Sequence, residues 1–257
     1  MELKEISEAI TTYIRPQTFP LAIRMCQAEE LPERVRLPQR DLGFKVSLCQ
    51  AITMARRYGW VIAQSVDDSS CSYGALTLGL LFPGKGWLDG SFGETLGQNK
   101  EAAAQSAQSL PRLEYGRYSH VLLAPLERAT FEPQVVLIYG NPAQVMRVVQ
   151  GRLTAGGTAL SSKVSGGTSC GNCIVMPIIT DECQIVMPGA GERINCSTQD
   201  SEMACAIPVS KIEDVVRGLE AGHRAGIARY PTPNYLRFQP QHPPYITQLW
   251  DYIKGES

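Results

Sequence analysis

The run from Val135 to Gly151, VVLIY-GNP-AQVMRVVQ-G, constrains the fold of this chain more than any other stretch. Its apolar opening is strand-sized, Asn141 can cap a helix, and Pro142 fills the first helical position, where a missing N–H costs nothing. Gly151 then offers an end to the helix. The same order recurs in MACAIP, followed by Ser210 with Glu213 three residues on as a capping box, and by Ile212, Val215, Val216 and Leu219 on one helical face before Gly222. Two strand-turn-helix units of similar size result. An internal duplication and two ordinary units account for them equally well.

The remaining elements are mixed without strict alternation. Leu3, Ile6, Ile10 and Ile14 have helical spacing up to Arg15-Pro16, a strand FPLAIRM follows, and Pro32 to Asp41 reads as loop. Lys45 to Tyr58 predicts a helix ended by Gly59, and Trp60 to Ser65 a strand. The DDSSCSYG turn puts Cys71 on a loop before the apolar ALTLGLLF. A glycine-rich segment from Pro83 to Gly97, carrying Lys85 and Trp87, suits either a flap over a site or a plain surface loop. A short helix over Glu101 to Leu110 and strands over His120 to Leu126 and Gln134 to Tyr139 come next. The pattern predicts an α+β fold, a mixed sheet with packed helices. With 257 residues, 44% of them hydrophobic, it forms one domain over 1–257 that needs no staples, with a proline-rich arm from about 229 and a helix over Tyr245 to Ile253.

Five of the eight cysteines, Cys170, Cys173, Cys183, Cys196 and Cys205, lie between Gly166 and Pro208 among glycine-rich turns that let backbone approach a bound group. The acidic N-terminus MELKEISEAI is unlike a signal peptide, so a cytoplasmic protein with free thiols is expected rather than a disulfide framework. Cys170-Gly-Asn-Cys173 has the spacing of a redox dithiol, but IVMPII after it reads as a strand, not the helix such a motif opens. The wide intervals after Cys173 do not suit closed tetrahedral zinc. An iron–sulfur cluster needs no local spacing when the fold gathers its thiolates, and it is the leading metal expectation. Cys26, Cys183 and Cys205, in or beside apolar strands, read as small buried hydrophobes.

Other chemistries find little. His120, His223 and His242 are isolated, and there is no P-loop, dinucleotide fingerprint, zinc-protease helix or nucleophile elbow. A net charge of -1 with interleaved signs points to neither nucleic acid nor an anionic membrane surface, and no apolar run approaches the length of a spanning helix. Arg193 in PGAGER and Glu202 in TQDSEM either pair with each other at a turn or meet a ligand.

The segments YIRPQTFPLAIRM, SLCQAITMARR, SCSYGALTLG, PQVVLIYGNPAQVMRVVQG, GGTSCG, VMPGAGERI and QDSEMACAIPVSKIEDVVRGLEAGHRAGIARYP together resemble the DUF169 family of bacterial and archaeal proteins. The combination of GNPAQ, PGxGxR and DxEM in that order is specific. The resemblance implies cysteine positions at Cys49, Cys71 and Cys170, from three separate segments; Cys173, Cys183, Cys196 and Cys205 fall where the family pattern has other residues. It supplies no reaction, and whether the protein is an enzyme stays open.

The expectation is a cytoplasmic iron–sulfur protein in which Cys49, Cys71 and Cys170 hold a cluster of the 4Fe-4S type. Cys196 or Cys173 would complete the set, or one iron would stay open for redox or Lewis-acid chemistry on a small molecule. An electron-transfer partner is the other form such a site takes, and homo-oligomerisation is left open. The alternative is a non-catalytic protein in which Arg193, Glu202, Asn141 and the glycine-rich loops hold a small anionic metabolite.

Overall fold

The apolar run Val135–Gly140 is a strand buried at every residue, which explains why it does not alternate: both of its faces are covered. In the computed structural model, which describes residues 1–226, 229–231 and 244–255, it is β4 of a six-stranded sheet. The others are β1 (Leu21–Cys26), β2 (Ile62–Gln64), β3 (His120–Pro125), β5 (Gln184–Val186) and β6 (Met203–Pro208). They lie in the order β2-β3-β1-β4-β6-β5, and every pairing among them is antiparallel. The edge strands are the two shortest, which limits the unpaired backbone left for another chain to pair with.

Successive side chains along a strand point to opposite faces, so the sheet divides one core into two. Leu21, Ile23, Val135, Leu137 and Tyr139 face helix Leu48–Tyr58 and the segment around Cys170 and Ile174. Ala22, Val136, Ile138, Cys205 and Ile207 face the other way, onto helices Leu3–Tyr13, Pro142–Gly156 and Val209–Arg224. Each fully buried aliphatic side chain contributes about 1.5 to 3 kcal/mol, which makes this α+β arrangement worth its ordering cost.

The two strand-turn-helix units are both present and lie side by side, β4 paired with β6. Asn141 caps as expected, its side chain accepting from Gln144 N while Gln144 accepts from Asn141 N. The helix does not stop at Gly151 but runs on to Gly156, with Gly157 left-handed at φ 69° as its cap. Gly151 serves packing instead: a Cβ there would stand 2.8 Å from Leu219, and one on Gly218 would stand 1.8 Å from the Gly151 carbonyl. The two helices touch backbone to backbone. The second unit lacks the expected capping box, because its helix starts at Val209 and Ser210 donates to Asp181 while Glu213 holds the Met1 amino group.

Two further expectations change. The loop over Pro32 to Asp41 contains a helical turn, Pro38–Asp41. IVMPII is not a strand: Thr168–Val175 forms a π-helical turn that passes into helix Met176–Thr180. An apolar run of six residues, the first four of them buried, carries no clear periodicity to separate the two states, and here packing chose the helix. Of the proline-rich arm, residues 232–243 lie outside the described residues; Pro244–Lys254 is helical, as expected. No described helix is long and apolar enough to cross a membrane.

Candidate functional site

The three cysteines implied by the resemblance lie on segments that pack together, since helices Leu48–Tyr58 and Ser72–Thr77 both touch the turn Thr168–Val175. Cys49 sits in the first turn of helix Leu48–Tyr58, whose capping box pairs Ser47 with Gln50. Cys71 ends its loop, as expected, and caps helix Ser72–Thr77, where its Sγ accepts from Gly74 N at 3.4 Å. Cys170 lies in the π-helical turn that starts at Thr168. One glycine lets these segments close in: a Cβ on Gly167 would stand 2.9 Å from Leu110 and 3.2 Å from Tyr73.

Burial pushes the Cys170 thiol up to about 12, a bond from Thr77 works against this, and the charges of Cys49 and Cys71 both add to the rise. Cys49 is held below the ordinary thiol value, first by a hydrogen bond from Cys196 and then, against burial, by one from Ser169. Cys196 is raised, first by its interaction with Cys49 and then by burial, and its Sγ donates to the Gly191 carbonyl at 3.8 Å. Ser169 is itself buried, and its hydroxyl has no other partner. Cys173 is fully enclosed and pushed well up by burial, with Glu192 and then Cys170 and Cys49 adding to it.

Cys26, Cys183 and Cys205 are buried in the strand cores, as their apolar settings led one to expect, and burial raises all three.

Behind the thiols lies a buried polar network that sequence reasoning missed. The Glu192 carboxylate accepts from Tyr139 Oη and Thr168 Oγ1, each at 2.7 Å, and from Gly189 N at 2.9 Å. Arg56 is fully buried over the Tyr139 ring, 4.1 Å from its centroid, and donates to Glu202 at 2.6 Å and Thr198 at 3.2 Å. The signal for Arg56 was present in the sequence: it falls four and eight residues after Ile52 and Leu48, a charge on an apolar helix face. For Glu192 the sequence offered only a place in PGAGER. That stretch is helix Ala190–Asn195 rather than a turn.

The remaining candidates sit apart from the thiols. Glu202 does not pair with Arg193; it takes Arg56 and Arg57, while Arg193 donates to the Gln199 carbonyl at 2.5 Å and lies 3.7 Å from Asp200. Asn141 is engaged in its cap and donates to Tyr230. Cys196 is therefore the candidate fourth ligand in contact with the trio, through Cys49. Among the described residues, no three His, Cys, Asp or Glu side chains are gathered as around a metal ion. The zinc-like arrangement gains nothing from the structure.

On its outer side the trio meets Tyr73. Burial, then Cys170 and Cys71, raise this phenol to about 12, and its ring packs edge-on against Trp87 with centroids 5.2 Å apart. The glycine-rich segment from Pro83 to Gly97 thus lies against Tyr73, folded into turns Lys85–Leu88 and Ser91–Glu94.

A family model described as uncharacterised ArCR, DUF169, matches residues 9–218. The chain is 26% identical over 205 residues to the uncharacterized protein MJ0308 of Methanocaldococcus jannaschii, covering 78% of this chain and 86% of that one. No solved structure matches the chain. The family match takes in the Cys49, Cys71 and Cys170 segments and both strand-turn-helix units, and the chain belongs to the DUF169 family.

Proposed function

We propose that the protein binds an iron–sulfur cluster of the 4Fe-4S type through Cys49, Cys71 and Cys170, with one iron left open toward a small molecule on the Tyr73 side. The observation that supports this most is the packing of two cysteine-bearing helices against the turn that holds Cys170, with the charges of Cys49 and Cys71 both acting on that thiol. A tetrahedral ion draws thiolates to about 4 Å from one another, whereas a cluster spreads them to about 6 or 7 Å, so the lack of a single-ion geometry does not count against this reading. The residues also suit the group. The buried Ser169 hydroxyl, which bonds toward Cys49, can donate to a sulfur bound there, and Gly167 leaves the room that a side chain would fill.

When bound, such a cluster supplies one-electron transfer or a Lewis-acidic iron. The chain does the rest. Cys49, already biased toward thiolate by its neighbours, is the thiol readiest to bind, and Tyr73 stands between Cys170 and the outer segment. Cys196 leans on Cys49, and its contact there favours a supporting hydrogen bond over a fourth ligand.

The test is anaerobic purification followed by reconstitution with ferrous iron and sulfide. The expected product is brown and carries about four iron and four sulfide per chain. Replacing Cys49, Cys71 or Cys170 by Ser should each lower both, while Cys183→Ser and Cys196→Ser leave them in place. A colourless, iron-free chain after reconstitution overturns the proposal; loss of iron in Cys196→Ser closes the open position and argues for electron transfer.

A further inference from the structure

Cys196 is fixed at both of its backbone groups. Its N–H donates to the Glu192 carbonyl at 3.1 Å, as the cap of helix Ala190–Asn195, and its carbonyl accepts from Thr53 Oγ1 at 3.1 Å. The chain then runs along helix Leu48–Tyr58 toward that helix's C-terminal end, where the Ser197 carbonyl accepts from Arg57 at 2.9 Å and the Thr198 hydroxyl from Arg56 at 3.2 Å.

That course sets Cys196 beside Cys49. Residues four apart on a helix share a face, so Cys49 stands one turn from Thr53 toward the helix N-terminus. The Cys196 thiol lies over the same turn, in contact with Cys49 and with Ser47, the N-cap two residues before it. Its bond to the Gly191 carbonyl is long, 3.8 Å, and holds the sulfur only weakly.

The two thiols differ in access. Of the eight cysteines only Cys49 and Cys71 keep part of their surface in solvent, and the Cys71 sulfur accepts from Gly74 N. Cys196 is buried, and so are Cys170 and Cys173, the pair closest in sequence. An accessible thiol beside a sheltered one is the arrangement in which the first is oxidised and the second resolves it.

We propose that Cys49 and Cys196 form a reversible disulfide within one chain when the iron-free protein meets a peroxide, Cys49 reacting first and Cys196 resolving it. The Cys49 sulfur attacks a peroxide oxygen, the O–O bond breaks, and the departing hydroxide takes the thiol proton, leaving water and a sulfenic acid. The Cys196 sulfur then attacks the Cys49 sulfur, the S–O bond breaks, and hydroxide leaves with the Cys196 proton as a second water. The two sulfurs give up two electrons and the peroxide takes them. Resting on the proposed cluster, the same bond removes Cys49 from the ligand set, so oxidation of the iron-free chain blocks loading until a thiol reduces it.

The iron-free chain is treated with about one equivalent of hydrogen peroxide, blocked with iodoacetamide and cut without reduction by trypsin and a glutamate-specific protease. Segments 46–56 and 194–202 then each carry one of the two cysteines alone. They should appear joined, the free thiols should fall from eight to about six per chain, and dithiothreitol added before blocking should restore all eight. Cys196→Ser should stop the reaction at the sulfenic acid of Cys49, trapped by dimedone, and Cys49→Ser should leave Cys196 a thiol. Failure of the joined pair to form in the unaltered protein, a link from Cys49 to any other cysteine, or a link between two chains overturns the inference. Diamide, which takes both thiol hydrogens, separates the pair from the cluster: the iron-loaded chain should stay unlinked while the iron-free chain links. Equal linking of the two overturns the competition with iron, and a chain that never takes up iron yet joins Cys49 to Cys196 upholds the pair and overturns the cluster alone.

Discussion

Glu202→Gln tests the buried polar network behind the thiols. In the folded protein Glu202 receives two hydrogen bonds from Arg56, at 2.6 and 3.3 Å, and a third from Arg57 at 3.4 Å. Only 1% of the Arg56 side chain and 10% of the Glu202 side chain remain exposed, so the pair lies beyond the reach of solvent screening. Removing one member of such a pair leaves a buried charge without its counterpart, which costs about 3 to 5 kcal/mol. The Thr198 hydroxyl and the Tyr139 ring still face the guanidinium, which places this case at the lower end, about 3 kcal/mol. With a urea slope of about 3 kcal/mol per molar, the unfolding midpoint should fall by about 1 M. Arg56→Met combined with Glu202→Gln removes both charges, so the double variant should be no less stable than Glu202→Gln alone, and the cycle should give a coupling of about 2 kcal/mol.

The pH dependence follows from the same pair. Burial would raise the Glu202 carboxyl, but bonds from Arg56 and from Gln199 N, with the charges of Arg56 and Arg57, outweigh it and hold the group below its ordinary value. Its contribution is therefore complete above about pH 4.3 and is lost as the pH falls through the depressed value. The difference between the unaltered protein and Glu202→Gln should be flat near neutrality and shrink in acid. A loss under about 1 kcal/mol at neutral pH, or strictly additive single variants, would refute the reasoning.

Gly218→Ala should destabilise by about 1 to 3 kcal/mol in urea unfolding, because the new methyl meets the Gly151 carbonyl; the ordinary helix gain of about 1 kcal/mol would show that the two helices can part freely. Asn141→Ala should cost about 1 kcal/mol through the lost cap and leave iron uptake unchanged, since its side chain serves Gln144 and Tyr230; a change in iron content would tie it to the site. Burial holds His120 below its ordinary value, with Asp68 and Glu29 opposing, so protonation works against folding and stability falls as pH drops below about 6.5. His120→Gln should flatten the stability–pH curve in that interval, and an unchanged slope would show that another group titrates there.

The sequence by itself determined the elements whose signals are local. The capped helix after Asn141 and the strands LAIRMC, VVLIYG and MACAIP are where their chemistry puts them, because a cap or a turn acts within a few residues. It also carried the DUF169 resemblance, through a pattern spread over most of the chain. Tertiary structure decided what depends on contacts between distant segments. It turned IVMPII from strand to helix, carried the helix past Gly151 because the partner helix needs a residue without a side chain there, and gave Glu202 to Arg56 rather than to the nearer Arg193. Glu192 became a candidate only in three dimensions, as a buried carboxylate whose charge acts on Cys49, Cys173 and Cys196. The physical reason is the same throughout: a lone polar atom is ordinary in a sequence and becomes informative only when folding removes its water, and which atoms lose their water is set by packing across the chain.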